Sequence, residues 1–174
     1  MLARIRTLFA SFTLIAAVAI TLPQAAAQEI DTFVPLGNGW QTYVNSRFSV
    51  RFDYPADVFS PMDPPENGGG RTFTSPDATL MIFAAHNTLD ETPASMRREM
   101  VGAKDYENVT YSPSGDTWLV LSGFRGSDTI FYEKYFFRDG IISAFGMEFP
   151  KGRKPFYAPI IERIEDSFQA GRSD

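Results

Sequence analysis

Arg47-Phe48-Ser49-Val50-Arg51-Phe52-Asp53-Tyr54-Pro55 is the stretch on which the fold turns. Phe48, Val50, Phe52 and Tyr54 alternate with Arg47, Ser49, Arg51 and Asp53. Side chains point to opposite faces of a strand in turn, so this pattern predicts a half-buried strand that Pro55 ends. Downstream, Pro61 to Gly70 holds prolines and three consecutive glycines and is expected to be a loop. Arg71–Ser75 and Thr79–His86 then read as strands joined by the turn Ser75-Pro76-Asp77-Ala78. Leu80 to Ala85 is apolar on both faces, which places that strand mid-sheet with cover on each side.

Thr92-Pro93 opens a helix, with threonine as cap and proline where its missing donor costs nothing. Met96, Met100 and Ala103 share one side, and the helix is expected to end near Lys104. The second half predicts strands at 117–122, 129–137 and 141–149. Asp139-Gly140 forms a hairpin between the last two, since both residues tolerate positive φ. Phe156, Ile160, Ile164 and Phe168 recur every four residues, with Tyr157 and Ile161 alongside, giving an amphipathic helix near the C-terminus. Pro159 belongs to its first turn or marks its start, and Gly171 ends it. The order is βββα, twice over, with much of the sheet made from hairpins and no βαβ alternation. It predicts an α+β fold, an antiparallel sheet flanked by helices.

Residues 1–27 have the parts of an export signal. Arg4 and Arg6 are positive, Leu8 to Leu22 carries no charge, and Ala25-Ala26-Ala27 offers a cleavage site before Gln28. Residues 28–40 read as a flexible lead-in, and 41–170 as a single domain. The expected location is periplasmic or secreted, without stable membrane insertion after cleavage. The chain carries −5 net charge, which opposes nucleic acid and anionic lipid as partners. No cysteine is present among the 174 residues, which excludes disulfides, thiol catalysis and thiolate metal centres, while 16 phenylalanines supply a large apolar core.

Tyr43-Val44-Asn45-Ser46-Arg47-Phe48-Ser49-Val50 followed by Asp53-Tyr54-Pro55 resembles the opening hairpin of PsbP-like domains. Pro65 to Phe73, the aromatic segment Phe131-Tyr132-Glu133-Lys134 and Ser167-Phe168 at the end of the last helix resemble a group of small uncharacterised proteobacterial periplasmic proteins. The resemblance, to PsbP/DcrB-like domains, spans roughly residues 40–169. It implies a helix-flanked sheet in a domain that usually acts without catalysis. The PsbP subunit docks on a membrane complex and helps retain inorganic cofactors, DcrB-like relatives sit in the periplasm or on its membrane, and a further relative binds a small GTPase. The resemblance carries over no functional residue.

His86 is the sole histidine; no nucleophile elbow accompanies it, so a solvent-facing strand-end role is expected. Asp57, Asp63, Glu66 and Asn67 surround the loop, but their spacing fits no calcium loop, and a solvated acidic loop is expected. If Asp139-Gly140 sets the register, residue 133 pairs with 146, and Glu148 lies opposite Phe131, diagonal to Glu133. Such an acid pair is the one arrangement here suggesting glycoside chemistry. The loop Asn67-Gly68-Gly69-Gly70-Arg71 is the candidate binding feature. Its glycines admit a ligand to the backbone, Arg71 offers a forked donor, and Tyr54 and Arg71 are expected at its rim. No catalytic residue, metal ligand or cofactor is assigned.

The sequence therefore points to a non-enzymatic binding or accessory protein docking on an envelope protein or a small molecule. A small hydrolase or cell-wall-modifying enzyme is the alternative, and an inhibitor-like domain the third.

Overall fold

A hairpin opens the structure where a loose lead-in was expected. The computed structural model describes residues 31–106 and 108–172; the expected export signal, residues 1–27, lies outside them. β1 (Thr32–Gly37) pairs with β2 (Trp40–Val44), and β2 with β3 (Arg51–Pro55), as a three-stranded antiparallel sheet. Gly37, Asn38 and Gly39 all have positive φ at its tip. The long alternation of residues 47–54 is only half strand. Asn45 donates its backbone N–H to Val50 O at 2.8 Å and accepts Phe48 N–H on Oδ1 at 2.9 Å, closing a loop in which Ser49 has φ 56°. Phe48 and Val50 are buried nonetheless, so the pattern reports burial on both sides of the turn.

The second sheet has seven antiparallel strands in the order β4-β5-β6-β10-β9-β8-β7. These are β4 (Ser60–Pro61), β5 (Gly70–Thr74), β6 (Thr79–His86), β7 (Val109–Tyr111), β8 (Trp118–Arg125), β9 (Thr129–Arg138) and β10 (Ile141–Pro150). The Ser75–Ala78 turn joins β5 to β6 as expected. Asp139 and Gly140 take positive φ, and Ile141 pairs with Arg138, Gly146 with Glu133 and Glu148 with Phe131. The two-residue loop thus fixes the register read from sequence.

α1 (Pro93–Met100) starts in a reciprocal cap: Ser95 N–H donates to Thr92 Oγ1 at 3.1 Å and Thr92 N–H to Ser95 Oγ at 2.8 Å. It stops at Met100, short of Lys104, and residues 104–106 form a single 3-10 turn. α2 (Lys154–Ser167) buries Tyr157, Ile160, Ile161 and Ile164. Phe156, expected in that stripe, is 42% exposed. Pro159 lies inside α2, beyond its first turn, and ends nothing; so near the N-terminus it forfeits only the bond to the Pro155 carbonyl. The helix stops before Gly171.

The three-stranded sheet and α2 cover one face of the large sheet, around Tyr43, Phe52, Phe73, Leu80, Phe145 and Tyr157. On the other face Met96, Met100 and Tyr106 pack over Leu119, Leu121, Phe131 and Tyr135. That cover lies over β8, β9 and β10 and touches β6 at Phe83, whose ring centroid is 6.0 Å from that of Tyr135. β10 is the central strand, and β6 is covered along one face and only at Phe83 on the other, with Met81 46% exposed. The result is an α+β fold.

Candidate functional site

Arg71, at the start of β5, points inward. Its Nε lies 3.2 Å from Asp31 Oδ2, its Nη1 donates to Met62 O at 3.0 Å, and its guanidinium carbon sits 5.4 Å from the Phe33 ring centroid. Its side chain is 13% exposed. Tyr54 is fully buried rather than at a rim. Its hydroxyl donates to Gln41 Oε1 at 3.1 Å, and its ring packs on Phe73 with centroids 4.7 Å apart. Burial raises the Tyr54 hydroxyl above its ordinary value, against the opposing charge of Arg71. Asn67 alone of the three is exposed, and its Oδ1 accepts Gly69 N–H at 3.0 Å.

The loop glycines serve packing. A Cβ on Gly70 would lie 2.0 Å from Ile82 O, and one on Gly69 3.1 Å from Ala84 O, where Ala84 N–H donates to Gly69 O at 2.6 Å. From below, Asn45 Nδ2 donates to Gly68 O at 2.9 Å and Arg47 Nη1 to Asn67 O. Beside the loop lies an open hollow of about 410 Å³, lined by Met62, Pro65, Thr72, Met81 and Phe83 at the β5–β6 end of the sheet. Asp63 also lines it, Glu66 is exposed, and Asp57 lies apart, its N–H donating to Gly39 O at 3.3 Å at the β1–β2 tip; no three acidic or histidine side chains gather in a metal-sized group among the described residues.

Glu133 and Glu148 share a face, as their register requires, but Arg125 of β8 stands between them. Its Nη2 lies 2.9 Å from Glu133 Oε1 and its Nε 2.5 Å from Glu148 Oε1. Tyr106 and Tyr135 donate to Glu133 Oε2 at 2.8 and 2.6 Å. Burial pushes the Tyr106 hydroxyl up to about 12 and raises Tyr135 further. A general acid must hold a transferable proton and a nucleophile must be free. Glu133 is neither, being salt-bridged and doubly hydrogen-bonded. His86 is exposed at the end of β6, with its ring edge-on to Phe48 at 5.3 Å. It pairs with Ile141, so Glu148 lies seven residues further along β10, roughly 23 Å away at strand rise. The acids and the histidine do not converge.

A second concavity joins residues far apart in sequence. A groove of about 870 Å³ runs between the β9 end and the segment after α2. Arg51, Arg138 and Arg172 line it with Phe136, Phe137 and Phe168. The Phe136 and Phe168 rings stack with centroids 4.6 Å apart and planes 13° apart. These residues come from three separate segments, and no local motif joins them.

No protein-family model matches the sequence, and no curated protein matches it. Solved structures do match in shape. Cyanobacterial PsbP (CyanoP) from Synechocystis sp. PCC 6803 superposes with a TM-score of 0.58 at 14% identity, over 78% of this chain and 95% of its own. A protein from Bacteroides thetaiotaomicron gives 0.48 at 18% identity, over 75% of this chain and 47% of its own. The Saccharomyces cerevisiae Ran-binding protein Mog1p gives 0.38 at 8% identity, over 82% and 96%. The match to CyanoP, at that identity, speaks for shape alone. Antiparallel sheets with helices packed on them, matching CyanoP over most of both chains, give this protein a PsbP-like α+β fold.

Proposed function

We propose that this chain is a non-enzymatic binding or accessory protein, exported to the periplasm, that docks on an envelope component through the β5–β6 end of its large sheet. The observation that carries the reading is the hollow beside the glycine loop. Met81 and Met62 are 46% and 52% exposed there, beside the half-buried Phe83. Exposed apolar side chains grouped on one strand face favour a docking surface, and methionine adapts its shape to a partner. Arg125 stands between Glu133 and Glu148, and His86 lies remote from both, so these groups form no common centre. The sequence resemblance to PsbP-like domains, which implies a domain acting without catalysis, supports the same class.

A photoactivatable cross-linker at position 81, in the bacterium that makes the protein, tests this. A discrete adduct from position 81, absent when the cross-linker stands at Glu162 on the exposed side of α2, is expected. Equal labelling from both positions, or none, refutes the docking surface. Export is tested separately by N-terminal sequencing: Gln28 is expected, and a retained Met1 refutes it.

A further inference from the structure

We infer that the groove between β9 and the segment after α2 binds a small organic anion, one with a phosphate or carboxylate group and a flat apolar end. The inference is independent of the docking surface, since the groove and the hollow beside the glycine loop share no lining residue.

Charge is the first argument. The chain as a whole is acidic at −5, yet Arg51, Arg138 and Arg172 line this groove and no acidic residue does, among the described residues. Several arginines elsewhere have protein partners. Arg71 and Arg125 are held by carboxylates, and Arg47 and Arg97 by an oxygen of Asn67 and of Ser112. In the groove, Arg138 meets only its sequence neighbour Asp139 at 3.2 Å, with the two side chains 65% and 60% exposed. Arg51 and Arg172 form no salt bridge among the described residues. Like charges gathered on one wall repel, and an anion between them relieves that repulsion. Guanidinium forks match carboxylate and phosphate oxygens two at a time.

The apolar half of the ligand follows from the floor. Phe136, Phe137, Phe168 and Val44 line the same groove, and the stacked Phe136–Phe168 pair offers a flat aromatic surface. The volume, about 870 Å³, falls in the range of small-molecule pockets. The walls are fixed: Gln169 N–H donates to Arg51 O at 2.8 Å, Arg172 N–H to Phe48 O at 3.0 Å and Gly171 N–H to Ser143 Oγ at 2.8 Å. The segment carrying Arg172 is thereby strapped beside β3, and the groove is formed before any ligand arrives.

The test is a two-dimensional NMR titration of the protein with 1-naphthyl phosphate, 1-naphthylacetate and inorganic pyrophosphate. Saturable shifts at residues 136–138 and 168–172 are expected with at least one naphthyl anion. Whichever binds tighter identifies the anionic group. Pyrophosphate is expected to bind about tenfold more weakly, lacking the ring that stacks. Arg138→Gln and Arg172→Gln should each weaken binding by about tenfold, the loss of one charge-assisted fork. Arg98→Gln on α1 should leave it unchanged. All three arginine positions are exposed, so the variants keep the fold, which unchanged amide spectra outside the groove will verify. Absence of groove-localised shifts with both naphthyl anions overturns the inference. So does binding that survives Arg138→Gln and Arg172→Gln together, or pyrophosphate binding as tightly as the naphthyl anions.

Discussion

Arg71 Nε and Asp31 Oδ2 lie 3.2 Å apart across forty positions of sequence, with the two side chains 13% and 6% exposed. Asp31 also accepts Tyr43 Oη at 2.7 Å, Asn45 Nδ2 at 3.2 Å and Ser46 N–H at 3.1 Å. One carboxylate thus ties the first hairpin, the loop after β2 and the start of β5 together. Arg71→Ala is therefore a stability variant. It leaves a nearly buried carboxylate without its cation, at a cost of about 2–4 kcal/mol, tempered by the three remaining donors. Urea denaturation should show the midpoint fall with unchanged slope. A wild-type midpoint would mean the pair contributes nothing and return Arg71 to the surface role that its loop position suggested.

Arg125 is the second internal cation, and its two partners differ. The Glu133 side chain is 12% exposed and that of Glu148 45%. Exposed pairs contribute at most about 1 kcal/mol, whereas removing the cation from a buried carboxylate costs about 3–5 kcal/mol. Glu148→Gln should change stability little, and Arg125→Met should cost several times more. Arg125→Met with Glu133→Gln should recover part of the loss, because no charge is then stranded. If the double variant is as unstable as the sum of the singles, the pair is not coupled.

The contrast between those two arginines and the register of β9 and β10 shows which features a sequence carries openly. Asp139-Gly140 announces a two-residue loop because its neighbours must pair once both residues take positive φ, so Glu133 and Glu148 could be placed correctly. Asn38-Gly39 is the same signal, and it marks the β1–β2 hairpin, but on its N-terminal side Pro35 interrupts the strand-like residues. β1 is largely exposed, so it has no apolar alternation to display. The eight-residue alternation at 47–54 misleads for the opposite reason: burial continues through a turn that a single positive-φ serine makes possible. Of the candidate site residues, Tyr54 and Arg71 were drawn to the loop by proximity in sequence, whereas tertiary partners at Gln41 and Asp31 hold them. The groove arginines, at 51, 138 and 172, have no spacing that could bring them to notice.

Alkaline unfolding should be steep. Burial is the leading cause raising the hydroxyls of Tyr43, Tyr54, Tyr106, Tyr132, Tyr135 and Tyr157, with Tyr106 at about 12. A folded value above the unfolded one, near 10, means the folded state holds its proton longer. That contribution is complete below about pH 10 and drains away as pH rises through the folded value of about 12 for Tyr106. Stability should be flat with respect to these groups up to about pH 9 and fall above about pH 10. Tyrosinate absorbance should then rise cooperatively with loss of the near-ultraviolet dichroism. Gradual ionisation of all the tyrosines while the fold persists would show that these hydroxyls are not sealed.

Gly70→Ala separates the packing reading of the glycine loop from a ligand-binding one. The added Cβ would sit 2.0 Å from Ile82 O and 2.8 Å from Phe83 Cα, both backbone, so no side-chain rotation relieves it. Gly70 pairs with Phe83, and the two strands must part at that point or the bond from Ala84 N–H to Gly69 O must lengthen. Overpacking of this kind costs about 1–3 kcal/mol, and a rigid backbone on both sides places it at the upper end. Gly68→Ala is the internal control. Its Cβ meets nothing closer than Arg47 Cδ at 3.9 Å, and only its φ of 60° is strained, at about 1–2 kcal/mol. Thermal melts of the two variants should therefore rank Gly70→Ala as the less stable. Amide exchange should rise locally at Ala84 in that variant. The reverse ranking would mean that β5 and β6 are less closely apposed at Gly70 than packing there requires, and the glycines would again need a ligand to explain them.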